Sequence, residues 1–287
     1  MECRKKIQQH SASIDWRQNN LQNIQTWTPI RALCMHTQSI KMAYKPSSKA
    51  VPFPDIFWKY GALLFQDRLG DFITAINNLG LGMHALHTHS ANTLLPFCTV
   101  HVYHNIKFRA ANDAQELEIV DAIHVWLEQK DKHGQIIPAQ FDTVLVQSCG
   151  EGECFSFTLR LGSRVTHSPG YWVAQVRIVF EIPTKIVLEV FRSVDPPPKH
   201  LAYIEWFTPI PVTPNPKHSM YRVSRKIENG KRSASVIRVE SIIRSVYLIL
   251  HFGPVKPHKW HSFTVLKLCN TFYINLFSDI QNYLEFA

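Results

Sequence analysis

Residues 199–208 read K-H-L-A-Y-I-E-W-F-T, and prolines enclose them: Pro196, Pro197 and Pro198 before, Pro209, Pro211, Pro214 and Pro216 after. Proline has no N–H to give to a ladder, so the two blocks confine strand pairing to the run between them. In an extended chain Leu201, Tyr203, Glu205 and Phe207 share one face, and Ala202, Ile204 and Trp206 share the other. Neither face is wholly polar. The run therefore reads as a strand covered on both sides, with Trp206 mostly buried, rather than as an exposed aromatic patch held open by stiff flanks.

The surrounding sequence repeats this period. T-V-H-V-Y-H-N-I-K-F (99–108) alternates, and Ala122–Leu127, Phe141–Gln147, Trp172–Ile182, Met220–Ile227 and Ala234–Val239 read as further strands. Asn229-Gly230 supplies the two positive φ angles of a type I′ turn, so residues 220–227 and 233–240 are expected to form an antiparallel hairpin. Many short strands with Gly and Pro punctuation favour a barrel or sandwich. Upstream the period is helical: Phe57, Tyr60, Leu64, Phe65, Leu69, Phe72, Ile73, Ile76 and Leu79 recur in steps of three and four across Ile56–Leu79. Asp55 suits an N-cap, Gly80 and Gly82 a stop, and Gly61 and Gly70 interrupt the pattern. Residues 1–50 are rich in Gln and Asn, and K-P-S-S-K-A-V-P-F-P reads as a linker. The expected fold class is α+β, a helical N-terminal part followed by a β-barrel-like C-terminal part. The expected divisions are a poorly ordered or linker segment over 1–50, a helical and mixed segment over 51–135 and a β-rich barrel-like domain over 136–287.

The 287 residues are 45% hydrophobic and 18% charged, enough apolar content for a substantial core. Lys and Arg number 31 against 22 acids, a formal +9, which favours nucleic acid, chromatin or another anionic surface as partner. No Cys-x-x-Cys occurs among the six cysteines, and M-E-C-R-K-K-I-Q-Q-H lacks the apolar core of a signal peptide. No run approaches the ~18 apolar residues of a membrane span. Reduced thiols in the nucleus, or alternatively the cytoplasm, are the expectation, with no membrane partner.

Five blocks occur in order: Q-V-R-I-V-F-E-I-P, P-P-P-K-H-L-A-Y-I-E-W-F-T-P, H-S-M-Y-R-V-S-R, I-R-S-V-Y-L-I-L-H-F-G-P-V and N-T-F-Y-I-N-L-F-S-D. With Y-G-A-L-L-F-Q-D-R-L-G-D-F and L-P-F-C-T-V-H-V-Y-H-N-I-K-F upstream, they resemble the C-terminal region of proteins encoded by fungal Plavaka and Kyakuja-Dileera-Zisupton transposons, over about residues 50–287. The layout of Y-I-E-W-F-T-P, M-Y-R-V-S-R and V-I-R-V-E-S-I-I-R-S-V is similar, more loosely, to bromo-adjacent homology (BAH) modules. The resemblance implies a nuclear binding role, with DNA or nucleosomes and other transposon proteins as partners. The nuclease acids and cysteine-rich zinc region of such transposases are not visible. The expectation is a non-enzymatic transposon-derived module; the alternatives are a transposase fragment needing a missing catalytic domain, or a remnant without function.

His84, His87 and His89, with His101 and His104 beyond, have no nearby Cys or acid to complete a tetrahedral set, so no metal or other cofactor is expected. The Cys149–Cys154 pair encloses a Gly-rich turn and reads as a loop. No catalytic motif is present and no catalytic residue is assigned. Residues 217–244 carry eight cations against two acids, a net +6. Such a face can neutralise phosphates and release condensed counterions. The candidate nucleic-acid-binding residues are Arg222, Arg225, Lys226, Lys231, Arg232 and Arg238; a solvated outer face guarding a sheet edge is the competing reading.

Overall fold

The computed structural model describes residues 39–78, 85, 88–90, 94–111, 117–147, 171–192, 196–211, 213–216, 220–251, 258–259 and 264–275. The first half contains β1 (Ser39–Met42), β2 (Ser48–Pro52), helices α1 (Phe53–Trp58) and α2 (Phe65–Asn77), β3 (Thr99–Tyr103), β4 (Asn105–Ala111), β5 (Leu117–Trp126), β6 (Gln129–Lys130), β7 (Ile136–Ile137), β8 (Gln140–Phe141) and β9 (Thr143–Gln147). The second contains β10 (Tyr171–Glu181), α3 (Val187–Val190), β11 (Leu201–Trp206), β12 (Arg222–Ser224), β13 (Ile227–Glu228), β14 (Lys231–Arg232), β15 (Ala234–Arg238), a 3-10 turn at Val239–Ser241, β16 (Ile242–Ser245), β17 (Leu248–Leu250), α4 (Val265–Leu268) and β18 (Thr271–Ile274).

β11, the strand enclosed by prolines, lies inside a seven-stranded sheet between β10 and β15. Its residues Leu201 to Glu205 are all buried, so both faces are covered. Trp206, at its end, is half-buried; its indole N–H donates to Ser235 Oγ at 2.9 Å, and its ring meets Trp172 edge to face at 6.1 Å. On one face Ala202 and Ile204 join Ala174, Val176 and Val179 against Ile106, Phe108, Ile123 and Val125 of a second sheet of four strands, ordered β1-β4-β5-β8. On the other face two cores sit side by side. Leu201 and Tyr203, with Ile178 and Phe180, pack under α1 and α2, where Phe65 contacts Phe180 edge to face at 5.0 Å. Phe207, with Val173 and Leu145, packs under the small sheet β12-β18-β17 and α4.

These findings correct the expected α+β class of a helical N-terminal part followed by a β-barrel-like C-terminal part. The molecule is mostly sheet, strands β3–β6 fill much of the segment 51–135 expected to be helical and mixed, and among the described residues no pairing closes a barrel. The physical reason is the division of one edge of β10: β9 pairs with its residues Tyr171–Gln175 and β3 with Val179–Glu181, so the sheet forks instead of curling shut. A sequence period of two is the same for a barrel wall and a forked sandwich. Residues 39–42 and 48–52 of the expected linker form β1 and β2. Two of the cores draw side chains from both sides of residue 135. Leu79, Gly80, Gly82 and residues 1–38 lie outside the described residues.

The helical periodicity yields two helices, not one. Pro52 stands at the N-cap position of α1 without a side-chain hydrogen bond, and Asp55, expected there, lies inside the helix and pairs with Lys59 at 2.7 Å. The break falls at Gly61, whose φ of +69° suits glycine. The Arg177 guanidinium donates to the Tyr60 carbonyl there and fills the space where a Cβ would stand. The Asn229-Gly230 turn forms with φ of 50° and 74°, as a type I′ turn requires, but its hairpin is short. Beyond Lys226 and Ser233, joined by one 2.8 Å bond, the arms part: β12 pairs with β18 and β15 with β11.

Gly61→Ala is expected to lower stability by more than the about 1–2 kcal/mol of a left-handed non-glycine residue, because Arg177 must also move. Gly134→Ala, at φ 78° in open space, is expected to lose only the backbone share. Urea midpoints of the two variants measure the difference.

Candidate nucleic-acid interface

The structure divides the six candidate cations into three groups. Arg222 on β12 and Lys231 on β14 are exposed, and Arg238 at the end of β15 is half-buried. No ion pair to any of the three occurs among the described residues. Lys226 pairs with Glu228 at 2.8 Å. Arg225 and Arg232 turn inward, and Lys217 lies outside the described residues. The alternation of M-Y-R-V-S-R already separates them: Arg225 shares its face with buried Val223, whereas Arg222 lies on the opposite face.

Arg225 and Arg232 belong to a polar seam between the two cores under α1–α2 and under α4. On β11 the seam interrupts the face at Glu205, between Tyr203 and Phe207; on β10 it interrupts it at Gln175, between Val173 and Ile178. Arg232 Nη1 donates to Glu205 Oε2 at 2.9 Å, and Arg177 Nε stands 3.9 Å from Oε1. Arg225 Nη2 donates to Gln175 Oε1 at 2.7 Å, and Gln175 Nε2 donates to the Phe141 carbonyl at 2.9 Å. The carbonyls of Leu266 and Lys267 in α4 accept from Arg225 and Arg232, which satisfies acceptors that a helix end leaves unpaired. The Arg225 guanidinium also lies 4.4 Å from the Phe207 ring centroid and 5.7 Å from that of Phe272. Nε and Nη1 of Arg225 have no hydrogen-bond acceptor, and the negative faces of the two rings offset that loss. Burial, followed by the nearby Arg232 charge, pushes the Arg225 pKa down to about 9, so the group stays cationic at neutral pH. This arrangement clamps the sheet to α4 and the hairpin; it does not present Arg225 to a phosphate.

A second set of cations lies on the four-stranded sheet, where Lys41, Lys107 and Arg109 share the outer face. The alternation in S-I-K-M and N-I-K-F-R carries the signal, but only the β1–β4 pairing brings the two strands together.

Of the histidine group, His84 and His87 lie outside the described residues. His101 Nδ1 accepts from the Ala50 N–H at 3.1 Å, and His104 is half-buried. No group of three His, Cys, Asp or Glu side chains among the described residues is placed to hold a metal ion. Cys98 and Cys269 are free thiols, and the Cys149–Cys154 turn lies outside the described residues. No described helix is long and apolar enough to cross a membrane. Comparison with protein-family profiles, with curated proteins and with solved structures returns no match for the chain.

Glu205→Gln keeps the side-chain volume but removes the only acid among the described residues of the seam. It is expected to destabilise by about 3–5 kcal/mol, as breaking a buried ion pair does; urea unfolding at neutral pH measures it. Burial also pushes His104 and His200 below their ordinary pKa. The unfolded chain therefore binds more protons than the folded one, and the stability these groups contribute is complete above about pH 6.5 and is lost on acidification. The urea midpoint is expected to fall between about pH 7.5 and about pH 5, and His200→Gln is expected to reduce that fall.

Proposed function

We propose that this chain is a non-enzymatic, transposon-derived module that binds DNA or chromatin through phosphate contacts, in the nucleus. The observation that carries the reading is the exposure of Arg222 and Lys231, with Arg238 at the strand end, without ion pairs among the described residues. A cation already matched by a carboxylate gains little from a phosphate. One without a partner gains the entropy of counterion release from the nucleic acid. Lys226 joins this set once Glu228 is exchanged for a phosphate. The buried arginines do not contact the ligand; they hold the strands on which the exposed cations stand. The resemblance of the five sequence blocks to transposon-encoded proteins, and the looser one of Y-I-E-W-F-T-P, M-Y-R-V-S-R and V-I-R-V-E-S-I-I-R-S-V to BAH modules, supply the setting. Cations on strands and a hairpin position a protein on a phosphate backbone without reading bases, so binding is largely independent of sequence.

Phosphate contacts by Arg222, Lys226, Lys231 and Arg238 are expected to contribute a slope of about −3.6 to log K against log salt, at roughly −0.9 per contact. Arg222→Glu with Lys231→Glu is expected to weaken binding and to flatten the slope by about 1.8, with the circular dichroism of the fold unchanged. Fluorescence anisotropy with labelled duplex DNA and with nucleosomes checks both. A folded protein that binds neither at ~50 mM salt overturns the proposal in favour of a remnant without function.

A further inference from the structure

The four-stranded sheet buries its inner face, where Ile40, Met42, Ile106, Phe108, Ile123 and Val125 pack into the core between the two sheets. Its outer face carries Lys41 on β1 and Lys107 on β4 as direct cross-strand partners, with Arg109 opposite Ser39. Lys41 and Lys107 are exposed, Arg109 is half-buried, and no ion pair to any of the three occurs among the described residues. The residue facing Lys107 from β5 is Ala122, not an acid. The acid beside it, Asp121, is held elsewhere: it accepts from the Ser245 backbone N–H at 2.6 Å and from Ser245 Oγ at 2.8 Å, tying β5 to β16. His124, farther along β5, contacts Asp142 at 3.2 Å.

Like charges directly opposite one another destabilise a strand pair. Protection of an edge strand accounts for a lysine on β1, but not for a second lysine facing it on β4, which is paired on both sides. An acid at that position would protect the edge equally and relieve the repulsion. A polyanion laid across the face relieves it too. Lys107 and Arg109 are two residues apart on one face, about 6.8 Å, which is twice the about 3.4 Å axial rise per phosphate on one DNA strand. Ser39, Asn105 and Ala122 flank the cations, and the aromatic residues of β5 on this face, His124 and Trp126, are engaged edge to face with each other at 4.9 Å, an arrangement that favours a duplex over an unstacked single strand.

We propose that the outer face of this sheet, through Lys41, Lys107 and Arg109, is a second phosphate-contact surface for duplex DNA. It shares its partner with the function proposed above but uses different residues on a different sheet, so the two can fail separately. The test is anisotropy of the full chain with a labelled duplex across a salt series. With both surfaces engaged the slope reaches about −6.3, and K41Q/K107Q/R109Q flattens it by about 2.7. Lys41→Glu replaces the facing like charges with an ion pair, so it raises the melting temperature while weakening duplex binding. A raised melting temperature with duplex affinity unchanged overturns the proposal. So does complete loss of salt-dependent binding in R222E/K231E with none in K41Q/K107Q/R109Q, although the hairpin reading then stands. Absence of duplex binding by the unaltered chain sinks both. Tighter binding to phosphatidylserine vesicles or to single-stranded DNA or RNA than to the duplex, lost in the glutamine variant, overturns the assignment to DNA duplexes.

Discussion

The Glu205 carboxylate, buried beside the guanidiniums of Arg177 and Arg232 and near that of Arg225, fixes the relation between the parts of this molecule. Burying charge is costly, and an ion pair of this kind seldom adds net stability over apolar packing. What it supplies is registry. Side chains in a strand alternate, so a slip of β11 by one residue would drive Glu205 into the apolar core between the sheets and set Ile204 against the arginines. Both outcomes are prohibitively unfavourable, so only one alignment of β10, β11 and the β13–β14 hairpin remains. The proline blocks around β11 serve the same end: they hold the strand to the length over which that alignment works.

The described cations that are buried, Arg225 and Arg244, are both arginines. Exposed positions carry both kinds: Lys41, Lys107 and Lys231 on β1, β4 and the hairpin tip, and Arg222 on β12. A planar guanidinium can stack on a ring and donate to several acceptors at once, whereas an ammonium is strongly hydrated and is retained at the surface. The formal +9 of the sequence therefore overstates the charge that a partner meets.

Much of the fold was legible where a local rule has a single outcome. The prolines around 199–208 marked a short strand, Asn229-Gly230 marked a tight turn, and the three- and four-residue spacing across Ile56–Leu79 marked helix, although the structure divides it into two. The fork of the sheet was not legible, because alternation in β3, β9 and β10 says which residues point inward but not which strands are neighbours. For the candidate site, the charge run over 217–244 merged two faces that the structure separates. The alternation of Val223 and Arg225 held the correction, since a residue two positions from a buried valine shares its face. The pairing of Lys41 with Lys107 was beyond reach, because it joins segments far apart in sequence that meet only through β1 and β4.

The shared edge of β10 also bears on how the chain reaches this state. β3 can pair with β2 as soon as both are made, but its other edge, like β9, has to wait for residues 171–181. Non-local pairing of this kind is slow, and it leaves strand edges open to other chains in the meantime. β10 itself, Y-W-V-A-Q-V-R-I-V-F-E, is the longest strand among the described residues, and its other edge is in turn exposed until β11 emerges. Arg177 breaks that run at its centre, at the irregularity in the β10–β11 ladder. A charge in such a position acts as a gatekeeper against aggregation. The residue that ends beside Glu205 thus guards the nascent chain before Glu205 exists.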